Sequence, residues 1–562
     1  MQHSRSLGRA SLLALSLLSA CAAAEPLASS SRAVDYQPSG VDAAFLVGHV
    51  AELQSNPNVA ATAFLKALAA RPNDPEIKQQ AFIAALLDGR PEAVQLARQL
   101  PNNQVARLVL VNQDVRSGNW QAAETGLQDI PRQGLTQLLQ PLMLAWTLAG
   151  AGQTDAALAT LQPFIDGQRF RGTFALHAGM IADVADRPAD AAKFYAIANA
   201  EMPDLNLRLA QILASWQTRS GHAAAAERTL GEFAEGAPDM VIALPRLLAA
   251  SRDRPVTGPS DGIAEAYLAL AAALRGEDSD DLATIMLRLA LNLRPDFTAA
   301  RVVGAEILMD QQHNAEALHM LAAVSDSDPL SPVVRMRRAQ LTAQLGHPGD
   351  ALHDLDRIAA QYPDSALPAV EQGDILSDWH RYVDAIAAYS RAIDRMMPVR
   401  RADWAVFYQR GVDYDHMQRW PQAEADFRQA LTLVPNQPSV LNYLGYTWAN
   451  KDEHLAEARQ MIQKAAAGRP DDGAIIDSLG WVMLRQGEVS QAVTTLQRAV
   501  ELDPEDSTLN AHLGDAYAAA GRKLEAQYQW RRALTLNPTA DDATKLEAKL
   551  QLPKGGAMVS GQ

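Results

Sequence analysis

Residues 477–538 read DSLGWVMLRQGEVSQAVTTLQRAVELDPEDSTLNAHLGDAYAAAGRKLEAQYQWRRALTLNP and carry one pattern twice. The first copy is Gly480, Ala492, Leu496, Ala499 and Pro504; the second is Gly514, Ala526, Trp530, Ala533 and Pro538. Each member of the second copy lies 34 residues after its counterpart. The spacing suits two helices that cross closely. The glycine lies where the second helix approaches, and the two alanines keep that helix near its neighbours. The large residue between them fills the gap. The proline lacks an N–H and clashes with the preceding turn, so it stops the second helix.

Working outward, the same pattern occurs at Gly411, Ala423, Phe427, Ala430 and Pro435. It recurs at Gly445, Ala458, Ile462, Ala465 and Pro470, with one residue inserted near Glu453. Upstream, Ala271, Ala305, Ala339 and Gly373 follow at steps of 34, with Ala283, Ala317, Ala351 and Ala385 as the later alanines. Pro295, Pro329 and Pro363 close those units, and Pro398 closes the fourth one residue late. An early unit is clear at Gly48, Ala60, Phe64, Ala67 and Pro72, and weaker ones begin at Gly179 and Ala214. Residues 81–101, 111–130 and 145–164 hold degenerate copies, which brings the total to about fourteen. The repeat resembles the tetratricopeptide repeat, a helix–turn–helix unit. The resemblance implies an all-α solenoid, a right-handed superhelix with a concave groove lined by the first helix of each unit.

Composition agrees. The 562 residues are 48% apolar but only 6% aromatic, which favours alanine-rich, closely packed helices. A net charge of −15 argues against a nucleic-acid binder, which needs a basic footprint on phosphate. The single cysteine leaves no intramolecular disulfide and no cysteine-based zinc site.

That cysteine is Cys21. Arg5 and Arg9 precede an uncharged run from Ala10 to Ala20. A helix of that length spans about 16 Å, against roughly 30 Å of hydrocarbon, so residues 1–20 read as a signal peptide and not a membrane span. The run ends in Leu18-Ser19-Ala20-Cys21, which resembles a bacterial lipobox, in which the cysteine is acylated and becomes the first residue. Loss of Arg5 and Arg9 takes the net charge from −15 to −17, so lipid and not charge would hold the chain on a membrane. Ala22 in place of aspartate implies, by resemblance to enteric sorting, the outer membrane.

The expected organisation is a lipidated tether at 21–40, a partly degenerate array at 41–240, a helix plus hinge at 241–263, a regular array at 264–540, and a capping helix with a disordered tail at 541–562. Residues 397–403 hold a shorter insertion. No P-loop or HExxH motif occurs, and no segment free of repeats could hold a catalytic domain, so the chain reads as a non-enzyme. His313 and His319 recur 34 residues later as His347 and His353. A separation of six does not place both on one helical face, so they read as polar turn residues; no cofactor or metal is expected.

The candidate binding residues face the groove from the first helices. They are Tyr408, Asp415, Asn442, Tyr446, Asp477, Trp481, Arg485 and Asp515. Aromatic rings beside Asn, Asp and Arg suit a peptide groove; Tyr446 and Trp481 could equally pack between repeats. The groove lacks the several Lys and Arg of a carboxylate clamp. The pieces LNYLGY, DSLGWV and AHLGDAY, behind a lipobox, resemble a family of outer-membrane tetratricopeptide lipoproteins. One member is the adaptor of a periplasmic carboxyl-terminal processing protease. The resemblance implies a lipid-anchored periplasmic scaffold that delivers cell-wall hydrolases to such a protease. The alternatives are a scaffold in envelope polysaccharide or peptidoglycan assembly, and an enzyme accessory released to the medium.

Overall fold

The computed structural model describes residues 40–551, apart from 132, 133, 135, 168, 203, 204, 277, 278 and 397. Cys21, the signal segment, all of the tether but Gly40, and the terminal tail lie outside the described residues. Within them every regular element is helical, with thirty α-helices. Fourteen consecutive helix pairs account for all but Leu244–Ala250 and Ala540–Leu550. The three degenerate stretches are therefore complete pairs whose side-chain pattern has drifted.

The glycine-to-large-residue contact recurs as its spacing requires. A Cβ built on Gly48 would lie 2.5 Å from the Phe64 ring, and one on Gly373 would lie 2.4 Å from Tyr389. The corresponding gaps are 2.7 Å for Gly411 and Phe427, and 2.5 Å for both Gly480 with Leu496 and Gly514 with Trp530. Phe64, Tyr389, Phe427 and Leu496 are fully buried. The turn inside each pair needs one left-handed residue. Gly487 and Gly521 supply it at φ 81° and 77°, where a side chain would be strained.

The chain forms two compact units, and the division falls at Arg395/Met396, just before the short insertion. It does not fall at residues 241–263, which were expected to be a hinge. That segment begins with a 3₁₀ turn, Pro238–Ala243, and the helix Leu244–Ala250. Its irregular part is then pinned to the preceding pairs. Ser215 Oγ donates to the Asp253 carbonyl at 2.7 Å, and Val256 is buried. Asp183, itself buried, accepts from Arg219 and from Arg254, and Arg254 also pairs with Asp186.

The helices Pro259–Leu274 and Asp280–Leu293 continue this strap across the first helices of the second to fifth pairs. Gly262 is pressed on the Trp146 indole so closely that a Cβ there would lie 2.0 Å from the ring. The Tyr267 hydroxyl donates to Asn112 Oδ1 at 3.0 Å, and Asn112 Nδ2 donates to the Leu289 carbonyl at 3.1 Å. All of these groups are buried, so the inner face of the early pairs is filled by the chain itself.

Residues 396–551 hold four regular pairs and a terminal helix. The first helices are Trp404–His416, Pro438–Asn450, Gly473–Arg485 and Ser507–Ala519. Ala540–Leu550 packs on Lys523–Thr535 of the last pair.

Three outcomes follow from this packing. Gly480→Ala should cost about 1–3 kcal/mol by urea unfolding, because the new methyl meets both Leu496 Cγ and its backbone nitrogen. Gly231→Ala, at a helical site with nothing within 4 Å, should instead stabilise by about 0.5–1 kcal/mol. Asp183→Ala takes the carboxylate from Arg219 and leaves Arg254 only Asp186, and should cost about 3 kcal/mol. Hydrogen exchange should then rise first in residues 251–258; unchanged protection there would mean that the ion pairs do not hold the strap.

Candidate binding face of residues 396–551

The eight expected groove residues do lie on first helices, but most of them are already engaged. Tyr408 packs edge-on against Tyr443, at 6.0 Å between centroids, and Asp415 accepts from the Tyr443 hydroxyl at 3.0 Å. Arg485 pairs with Asp452. Asp515 accepts from the Trp530 indole at 2.9 Å and from Lys549 of the terminal helix at 2.6 Å. Asp477, expected to face outward into the groove, is buried at 3% exposure. The register of the first helix places its Cβ correctly, but the neighbouring helix covers it.

What covers it is His512, two residues before Gly514. His512 Nδ1 lies 2.7 Å from Asp477 Oδ2, and the imidazole stacks on the Trp481 indole at 4.1 Å between centroids. The Tyr446 ring, on Pro438–Asn450, approaches the imidazole at 6.3 Å between centroids. The Trp481 indole N–H donates to Asn450 Oδ1 at 2.7 Å. Tyr446 and Trp481 are thus neither core nor free. Each is half-buried; Trp481 leans on the first helices either side of its own, and Tyr446 reaches the His512 ring two first helices along. Trp448, on the same helix as Tyr446, is fully buried instead.

Several buried acceptors of this unit lack a partner, and two of them belong to the expected groove residues. Asp477 Oδ1 and Asn442 Oδ1 are buried without a hydrogen-bond partner. They occupy equivalent places, three residues before Gly480 and Gly445, on adjacent first helices. A buried acceptor left unmade costs about 1–3 kcal/mol, which a donor from outside would recover.

His512 and Asn450 were passed over in the sequence, because only positions three before and one, four or five after each glycine were considered. Residues 258–262, GPSDG, were passed over as well; they match the G-x-S-x-G pattern of hydrolase nucleophile turns. That turn requires a preceding strand. Here the motif opens the helix Pro259–Leu274, and no strand occurs among the described residues. In the unit of residues 35–395, Glu371 and Asp374 lie either side of Gly373. Burial, and then Asp374, push Glu371 up to about 8; burial pushes Asp374 up to about 6, although Tyr389 donates to it at 2.6 Å. His313 and His347 immediately precede the second helices of their pairs, in the inter-helix turns. Among the described residues no group of three His, Cys, Asp or Glu could hold a metal.

Residues 259–405 match the tetratricopeptide repeat-like domain family, and residues 19–75, 408–473 and 478–541 match the tetratricopeptide repeat family. The chain is a tetratricopeptide repeat protein. Its array is a protein-interaction scaffold. A tetratricopeptide repeat-containing protein of Pseudomonas aeruginosa is 30% identical over 207 residues, 37% of this chain and 34% of that one. Cellulose synthase operon protein C of Xanthomonas axonopodis is 30% identical over 138 residues, 23% of this chain and 9% of that one. The match therefore spans a minor part of either relative. The crystal structure of the APC/C complex Cut9–Hcn1 aligns with 91% of this chain and 96% of its own, at 16% identity and a TM-score of 0.38.

Burial alone would hold the His512 imidazole down, but the Asp477 carboxylate, by charge and hydrogen bond, lifts it above its usual 6.5. The folded state thus keeps a proton that the unfolded chain loses near pH 6.5. The histidine's contribution to stability is present below that pH while Asp477 is ionised, and fades as pH rises through the higher folded value; burial lifts the Asp477 carboxyl above its usual 3.8, so the ion pair is lost again at the acid end. Asp477→Asn should leave burial unopposed. The His512 titration followed by NMR should then move from above 6.5 to below it; a midpoint that stays put would show that Asp477 does not control the ring.

Proposed function

We propose that the protein is a non-catalytic, lipid-anchored scaffold of the bacterial envelope that holds partner proteins on the inner face of residues 404–519. The observation that carries this reading is a contrast between two inner faces. That of the early pairs is filled by the chain's own residues 251–293, whereas Tyr446 and Trp481 are left half-buried beside acceptors without donors. Half-buried aromatic rings over a polar floor are the residue types that dominate binding energy at interfaces.

Cys21, behind Leu18-Ser19-Ala20, is the proposed acylation site, and acyl chains on it would anchor the scaffold in the outer membrane, facing the periplasm. The proposed partners are a periplasmic processing protease and the cell-wall hydrolases delivered to it. This rests on the lipobox together with LNYLGY, DSLGWV and AHLGDAY. A second reading, a scaffold in envelope polysaccharide assembly, is favoured by the likeness to cellulose synthase operon protein C.

The test is capture from solubilised membranes with the full chain as bait, followed by identification of what co-purifies. A protease together with hydrolases supports the first reading, and polysaccharide synthases support the second. The double variant Tyr446→Ala, Trp481→Ala should weaken capture by about 2–4 kcal/mol while the melting temperature holds. Undiminished capture by a folded double variant would place the partner elsewhere. Cys21→Ser should remove the protein from the outer-membrane fraction; retention there would end the lipid-anchor reading.

A further inference from the structure

The last two pairs show how this inner face treats a positive charge. Lys549 lies over the Trp530 ring, 5.7 Å from its centroid, with its ammonium 2.6 and 2.8 Å from the two Asp515 oxygens. Arg485 lies 5.9 Å from the Trp481 centroid and pairs with Asp452. In each case a cationic side chain is held between an aromatic ring and an aspartate, a favourable arrangement because the ring face is negative and the carboxylate completes the charge.

The Tyr446 ring and Asp477 supply the same two elements one step further along the array. There Asp477 is 97% removed from solvent, and its Oδ1 has no partner; the histidine on Oδ2 satisfies only the other side. Asn442 Oδ1, one turn before Tyr446 on the same helix, is a second buried acceptor without a donor. Three carboxylates surround the ring, and the protonated His512 faces one of them, Asp477. Burial chiefly, and then the carboxylates of Asp477, Asp542 and Asp506, push the Tyr446 hydroxyl up to about 12, against a lowering hydrogen bond from Asn450. Lys545 and Lys549 on the terminal helix are already paired with Asp542 and Asp515. With His512 on Asp477 Oδ2, Lys545 on Asp542 and Lys549 on Asp515, what is left open is a hydrogen-bond donor for Asp477 Oδ1 and for Asn442 Oδ1.

We infer that the face formed by Asn442, Tyr446 and Asp477 receives an arginine or lysine side chain from an extended segment of the partner protein, laid on the Tyr446 ring with its N–H groups turned to the unsatisfied oxygens of Asp477 and Asn442. The inference rests on the scaffold reading and specifies the chemistry of what that scaffold holds. It fits a groove without the cations that would bind an acidic terminus.

Fluorescein-labelled, amidated Ser-X-Ser-X-Ser-X-Ser peptides with X as Arg, Leu or Glu provide the test. They are titrated by anisotropy against the full chain at 150 mM salt, where charges beyond about 8 Å are screened. The Arg peptide should bind at least about tenfold more tightly than the Leu peptide, and the Glu peptide should bind most weakly. Tyr446→Leu keeps bulk and charge but removes the ring face, and should bring the Arg and Leu peptides within about twofold. Asp477→Asn should do the same, with melting temperature recorded for both variants. Equal binding of Arg and Leu peptides by the unaltered chain overturns the inference. So does an Arg preference that survives in either folded variant, since that preference would come from the overall negative charge. Partner capture that persists when the Arg preference is absent sinks this inference alone and leaves the scaffold reading standing.

Discussion

The structure depends on one contact repeated along the chain: a glycine or alanine on the first helix of a pair, closed over by a large side chain sixteen or seventeen residues later. At Gly480 the gap to Leu496 has no room for a methyl group. That contact sets the separation of the two helices in a pair. Where it is strict, each pair presents its first helix in the same rotation, and positions fixed relative to the glycine fall on one face. Asn442 and Asp477 become neighbours on adjacent helices for this reason, although 35 residues separate them.

Regular pairing also explains why the two inner faces differ. The early pairs are followed by residues 251–293, whose Ile263, Tyr267, Leu268 and Leu270 are all buried. Their burial, at about 25 cal/mol per Å² of apolar surface, makes this segment part of the core of residues 35–395. The polar contacts at Asn112 and Asp183 fix its register. The inner face of residues 404–519 is floored by aromatic rings, a histidine and aspartates, and its few cations are held by side chains of the same unit.

Around His512 the electrostatics follow from geometry. A buried imidazole ordinarily sheds its proton, as burial forces His177 to do, down to about 3. His177 meets only the Trp146 N–H at 2.9 Å, whereas His512 meets a carboxylate. The same side chain is therefore a neutral acceptor in one unit and a proton holder in the other.

Spacing alone determined the helix pairs, their closing turns and the placing of Tyr446 and Trp481 on adjacent first helices, because the period of the helix and the size of the packed residues are local matters. The Arg, Pro, Gly and Ser of residues 251–262 point to an irregular segment, which the structure limits to 251–258, but not to a strap, because Asp183 and Trp146 meet it only at sequence separations of 71 and 116. Asp477 was placed on the correct helix and given the wrong exposure for a related reason. Its burial is decided by His512, 35 residues later, at a position in the repeat that carries Tyr in one copy and Ser in another. A repeating sequence fixes which way each side chain points; which of them find a partner depends on the neighbour that points back, and only the tertiary structure supplies that.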